Sequence, residues 1–130
     1  MFAELKLKTA EGRERTVGLL AHAAIPIRYR NTFHKDLMVD VARFMNSEDG
    51  LNTDNIAGVT DMIPQLAYIM AMAAEKKDMS KLNEETFIDW LEDFSAESFT
   101  DASGDILSVY FGTLENKSTP KNSKARQAGK

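Results

Sequence analysis

Apolar residues recur at intervals of mostly three and four between Asn55 and Lys77, the longest apolar stretch of the chain. This spacing places them on one face of an α-helix. Within this stretch, the segment from Leu66 to Ala74 reads LAYIMAMAA and has no charge, which predicts that the helix is buried on more than one side. We therefore predict a central helix, and we expect part of its second half to meet another chain. The positions in the stripe are Ile56, Val59, Met62, Ile63, Leu66, Ile69, Met70 and Ala73.

Pro64 allows two starts for this helix. If Asp61 is the N-cap, Pro64 falls in the first turn, where its missing N–H costs little. The alternative is a longer helix that is kinked at Pro64. The periodicity alone does not choose between them.

Residues 2–19 have the pattern of a β-hairpin. In residues 2–8, FAELKLK, apolar Phe2, Leu5 and Leu7 alternate with charged residues, which predicts a half-buried strand. A turn over 9–12 and a second strand over 13–19 follow. The open edge of such a hairpin is a candidate assembly surface.

Residues 25–46 are helical in pattern, as one helix or two. Pro26 suits a first turn, and Tyr29 faces inward between Arg28 and Arg30. Asn31 or Thr32 is a candidate cap for a helix over 33–45. The polar stretch 46–55 then predicts a loop, and its acids do not follow the spacing of a calcium loop.

Two further helices follow the central one. Asn83 is a candidate N-cap for a helix on which Phe87, Trp90, Leu91 and Phe94 share a face. After a turn-rich passage over 95–104, a last helix begins near Ser103 to Asp105. The fold class predicted for residues 1–115 is mainly α, a small helical domain of four to five helices with an N-terminal β-hairpin.

Charge divides the chain into two parts. Residues 116–130 hold five basic residues and no acid, which leaves 11 basic and 20 acidic residues, a net charge of −9, in residues 1–115. The acidic body does not favour nucleic-acid binding, and we interpret residues 116–130 as a disordered basic tail. The chain has no cysteine, no signal-peptide pattern and no apolar run long enough for a membrane span, so we predict a cytosolic protein.

No catalytic or metal-binding pattern occurs in the sequence. The only histidines, His22 and His34, lie twelve residues apart with no zinc-binding spacing, and the seven glycines form no phosphate loop. We predict no enzyme activity, no metal and no cofactor. The seven methionines instead indicate an adaptable apolar surface, or a core whose gaps they fill.

Three segments together resemble a known family. IPQLAYIMAMAAEKKD, LNEETFIDWLEDFS and ASGDILSVYFGTL are similar to the tail assembly chaperones of long-tailed bacteriophages and prophages of Gram-positive bacteria. The likeness covers roughly residues 2–115. It implies a small, mostly helical protein of the host cytoplasm, absent from the mature virion, which binds the hydrophobic tape measure protein and helps the major tail tube protein to polymerise around it.

The resemblance also implies surfaces by which several copies cover an apolar helix of the tape measure protein. The central helix and the open hairpin edge are candidate surfaces for a homo-oligomer. A small prophage regulator that binds nucleic acid through its basic tail is the alternative. Trp90 is predicted to be either a core residue or an interface anchor. We predict partner contacts at Tyr68, Ile69, Met70, Met72, Phe87, Trp90, Tyr110 and Phe111.

Overall fold

A computed structural model of the chain describes residues 1–46 and 56–112, without the side chains of residues 56–60. The predicted loop after Asn46 and the predicted basic tail lie outside the described residues. The mainly helical fold with an N-terminal hairpin is confirmed. Its elements, in chain order, are strands β1 (Phe2–Lys8) and β2 (Glu14–Leu20), helices α1 (Ile25–Phe33), α2 (Leu37–Asn46) and α3 (Ile56–Ala74), a 3-10 helix (Met79–Lys81), and helices α4 (Glu84–Leu91), α5 (Ser98–Asp101) and α6 (Ser103–Phe111).

The hairpin buries one face and exposes the other. The strands are antiparallel, with Leu5 opposite Val17, and the buried face also holds Leu7 and Leu19. Phe2 was predicted to share this face, but a strand has a period of two, so Phe2 lies with Glu4 on the outer face and is exposed. Its ring crosses Gly18, where an added Cβ would lie only 3.0 Å from Phe2 Cε1.

Residues 25–46 form two helices because the chain turns at His34. This residue has the left-handed conformation (φ 60°) and its N–H donates to Arg30 O at 2.7 Å, which ends α1. Asp36 Oδ1 then accepts from Met38 N at 3.0 Å at the start of α2. The predicted cap at Asn31 or Thr32 is therefore wrong, and Thr32 is a buried residue inside α1.

Helix α3 is the centre of the fold, as predicted. It begins before Asp61 and continues through Pro64, so the longer of the two alternatives is correct. It packs against β2 and all five other α-helices of the described chain. Its end is a Schellman motif, in which Lys76 has φ 59° and the N–H of Lys77 donates to Met72 O at 3.1 Å.

Leu66 to Ala73 are all buried within the chain. Elements of the same chain cover Leu66 to Ala73, so nothing in this structure calls for a second chain there, and contact of LAYIMAMAA with another chain stays a prediction. Pattern alone shows that the segment is apolar all round, but it does not show how many elements of one domain surround it. The side chains of Ile56 and Val59 lie outside the described part of the chain.

A buried polar group joins α1, α2 and α3. The Tyr29 hydroxyl donates to Asp40 Oδ2 at 2.8 Å, and Gln65 Oε1 lies 3.2 Å from the same hydroxyl. Lys35 Nζ and Arg43 Nη1 lie 3.6 and 3.9 Å from the Asp40 carboxylate. Burial first, and then the hydrogen bond to Asp40, raises the pKa of Tyr29 above its ordinary range, so this phenol stays neutral.

Asn83 is the N-cap of α4, as predicted, and the start of this helix is a capping box. Asn83 Oδ1 accepts from Thr86 N, and Thr86 Oγ1 accepts from Asn83 N, both at 2.9 Å. We expect Asn83→Ala to lower the free energy of unfolding by about 1 kcal/mol, because the Thr86 N–H loses its acceptor, Asn83 Oδ1. Urea denaturation measures the change. Asn83→Asp keeps an acceptor and serves as the control, and equal stability of all three proteins would contradict the capping role.

Candidate partner-binding groove

The structure places five of the eight predicted partner-contact residues in the hydrophobic core. A partner would reach these five side chains only if the domain opened, because each is at least nine-tenths buried. Their burial assigns them a structural role, and partner contact at the eight positions stays a prediction. The five are Tyr68, Ile69, Met70, Met72 and Phe87.

Trp90 is half-buried and lies in a network of aromatic rings. Its ring centroid is 5.3 Å from that of Tyr68 on α3, 4.8 Å from that of Phe94 and 5.7 Å from that of Phe99 on α5. Tyr68 in turn donates its hydroxyl proton to Thr86 Oγ1 at 2.8 Å. Of the two roles predicted for Trp90, this packing favours the core residue.

The other two predicted residues, Tyr110 and Phe111, line a groove of about 430 Å³ that opens to solvent. It lies where the N-terminus, the segment before α1, the start of α2 and the end of α6 meet. Large apolar side chains dominate its wall. The full lining is Met1, Ala21, His22, Ala23, Pro26, Met38, Tyr110, Phe111 and Gly112.

Backbone hydrogen bonds fix one end of the groove. The Met1 amino group donates to Ala21 O, and Ala21 N donates to Met1 O, both at 2.8 Å. His22 Nδ1 accepts from Ala24 N at 3.2 Å, which holds the turn into α1. This histidine side chain therefore has a structural partner.

Helices α2 and α6 hold the opposite wall. Gly112 has φ 73° and ends α6, so Tyr110 and Phe111 lie in the last turn of the helix. The Tyr110 hydroxyl lies 3.8 Å from Met38 Sδ, and the rings of Tyr110 and Phe111 meet edge to face at 5.2 Å. Partial burial raises the pKa of Tyr110, so its phenol is neutral at physiological pH.

From Met38 in the groove, α2 carries a stripe of exposed apolar residues, Met38, Ala42 and Met45. Their spacing of four and then three residues places them on one helix face. Met38 is 51% exposed and Met45 is 53% exposed, and Met1 in the groove is 41% exposed. We use the name groove surface for the set of Met1, Met38, Ala42, Met45, Tyr110 and Phe111.

The methionines thus divide between core and surface in a way that sequence reasoning missed. Met62, Met70 and Met72 on the central helix are buried, so they fill the core, which is one of the two roles that the sequence left open. Met1, Met38 and Met45 are the exposed ones. The helical spacing of Leu37 and Val41 predicted that either Phe44 or Met45 continues their stripe, and the structure leaves Met45 exposed while Phe44 is half-buried.

Apolar groups make up most of the groove surface. Within residues 1–46 and 56–112, no cluster of three or more His, Asp or Glu side chains could hold a metal ion. Among the helices that the structure describes, none is long and apolar enough to cross a membrane. The arrangement can hold an apolar side chain or one face of a helix.

No family model, no curated protein and no solved structure matches this chain.

Proposed function

We propose that this protein is a phage tail assembly chaperone, which acts without enzymatic chemistry by covering an apolar helix of the tape measure protein. The observation that carries the proposal is the groove surface, where exposed methionine and aromatic side chains surround an open groove. The resemblance of the sequence supports it, since a small helical protein with an N-terminal hairpin is the fold that the family implies.

The groove surface has the dimensions for a short helical segment. Met38 and Met45 lie seven residues apart on α2, which is about 10 Å along the helix axis. An apolar helix laid along this stripe would place side chains at positions i, i+3, i+4 and i+7 against it, with one anchor in the groove beside Phe111. Methionine side chains are flexible, so they can repack against segments of different sequence.

The proposed mechanism uses many weak contacts. A tape measure helix with bare apolar faces would aggregate, and several chaperone copies would cover successive segments of it. Each copy binds through a small and weak interface. Many such interfaces along one long tape measure helix together cover it firmly. The major tail tube protein would then displace the copies one at a time, in the host cytoplasm, so that none remains in the mature virion.

Co-expression with a tape measure protein, from a neighbouring gene if one encodes it, tests the proposal. We expect the soluble fraction of the tape measure protein to rise with the wild-type chain, and to fall back with Met38→Glu/Phe111→Glu, because a carboxylate in the groove must be desolvated on binding. Ile88→Glu is the matched control, since Ile88 on α4 and Phe111 are both 45% exposed but Ile88 is not in the lining of the groove.

Two outcomes would overturn parts of the proposal. If the tape measure protein is equally insoluble with and without the wild-type chain, the chaperone function is wrong. If Ile88→Glu lowers its solubility as much as Met38→Glu/Phe111→Glu does, the function stands but the groove surface is not the binding site. Retention of the wild-type chain on DNA, weakened by salt, would favour the regulator instead.

A further inference from the structure

The outer edge of β1 carries backbone groups that point away from β2. Hydrogen-bonded pairs alternate along an antiparallel ladder. Met1 exchanges both bonds with Ala21, and Thr9 N donates to Arg13 O at 2.7 Å, so the pairs lie at the odd positions of β1. The N–H and C=O groups of the even positions, Phe2, Glu4, Lys6 and Lys8, therefore face outward.

At Lys8 and Ala10, this edge of the hairpin is already paired with residues of the same chain. Lys8 N donates to Ser98 Oγ at 3.0 Å, Ser95 N donates to Lys8 O at 3.0 Å, and Ala10 N donates to Asp93 O at 2.9 Å. These bonds show that the edge is competent to add a strand. In the described part of the chain, no group bonds to the outward backbone of Phe2, Glu4 or Lys6.

We propose that a second copy of this chain pairs with this free edge, β1 against β1 in antiparallel orientation, with Glu4 of each copy opposite Lys6 of the other. A twofold axis at Leu5 produces this register. Each of the two hydrogen-bonded pairs then exchanges two backbone bonds, and each places opposite charges side by side on the exposed face.

The charges select this register over its neighbours. An axis at Glu4 places two glutamates opposite each other, and an axis at Lys6 places two lysines opposite each other, both of which are unfavourable. The same register places Phe2 of each copy opposite Lys8 of the other, whose outward backbone is already bonded to Ser95 and Ser98. Pairing therefore ends at the two pairs of Glu4 with Lys6, and the strands must separate beyond them. The resulting contact is short, so the association is weak and depends on salt.

The edge of β2 does not offer the same fit. Its outward positions are Glu14, Thr16, Gly18 and Leu20, which include no pair of opposite charges. Helix α3 also packs against β2, and Ala74 Cβ lies 3.8 Å from the place of a Cβ at Gly18. A self-complementary pair of charges occurs on the free β1 edge, and this is why the occupant is a second copy.

Sedimentation equilibrium at low salt, with about 0.1 to 1 mM full-length chain, tests the pairing. We expect concentration-dependent dimers of the wild type. Glu4→Lys and Lys6→Glu should each associate at least about tenfold more weakly, because both pairs then carry like charges. An equimolar mixture of these two variants should recover wild-type association, since every facing pair in the mixed dimer again joins a lysine to a glutamate. The double variant should recover it for the same reason.

Glu11→Lys is the control for net charge, because Glu11 is exposed in the hairpin turn outside the paired segment. It should associate as the wild type does. A wild type that stays monomeric over this range overturns the proposal, as do single variants that dimerise like the wild type or a mixture that does not recover. None of these results bears on the groove surface, so they leave the proposed chaperone function untouched.

Discussion

Replacing Trp90 with alanine is expected to lower the free energy of unfolding by about 3 to 5 kcal/mol. The indole ring contacts Tyr68, Phe94 and Phe99, so its loss leaves a cavity between α3, α4 and α5. Aromatic contacts of this geometry add to the area that is buried. Urea denaturation, followed by circular dichroism, measures the change.

Two controls separate packing from other effects of the substitution. Trp90→Phe keeps a ring in contact with its neighbours and should cost about half as much or less. Ile88→Ala removes an apolar side chain from the same helix where it is 45% exposed, and should cost less than about 0.5 kcal/mol. If Trp90→Ala costs no more than Ile88→Ala, the ring is not a core residue, and the interface role predicted from sequence is the one that survives.

Local signals in the sequence predicted the elements that depend on neighbours along the chain. The cap at Asn83, the hairpin strands and the start of α6 at Ser103 all follow from residues within a few positions of each other. The burial of Tyr29 between two arginines also follows from nearby residues, because the helical spacing places this side chain on the inner face. In these places propensity, capping and tertiary packing agree.

The sequence could not show which residues line the candidate groove. Met1, Met38 and Phe111 lie far apart in sequence, and they share one groove only because α3 brings the hairpin, α2 and α6 together. Sequence reasoning named Tyr110 and Phe111 as partner contacts because they are large and apolar. It also named Ile69 and Met70 for the same reason, and composition cannot separate the pair that lines the groove from the pair that is fully buried.

The division of residues 25–46 shows a different limit. Phe33, Leu37 and Val41 recur at helical spacing, which favoured a helix that begins at Phe33. The structure buries all three, but Phe33 ends α1 and Leu37 begins α2. The left-handed backbone conformation of His34 at the junction is uncommon for a residue other than glycine. The sequence therefore carried no clear sign of the break.

The buried phenol of Tyr29 leads to a prediction about alkaline pH. Ionisation would place a second negative charge beside Asp40 in a site with almost no solvent, so the pKa of Tyr29 is raised in the folded chain. In the unfolded chain its pKa is the ordinary value of about 10. Stability from this group is therefore fully present below about pH 10, and it is lost as the pH rises above that value toward the folded-state pKa.

We expect the free energy of unfolding of the wild type to fall by about 1.4 kcal/mol per pH unit above about pH 10 through Tyr29 alone. Tyr29→Phe removes this dependence, although at neutral pH it costs about 1 to 2 kcal/mol because Asp40 loses its donor. Denaturation midpoints of both proteins, measured from about pH 8 to about pH 12, should converge with rising pH. Every other group of the chain is the same in both proteins, so its contribution cancels in the comparison. Curves that stay parallel would show that Tyr29 can ionise inside the folded chain, and the buried group that joins α1, α2 and α3 would then have to admit water.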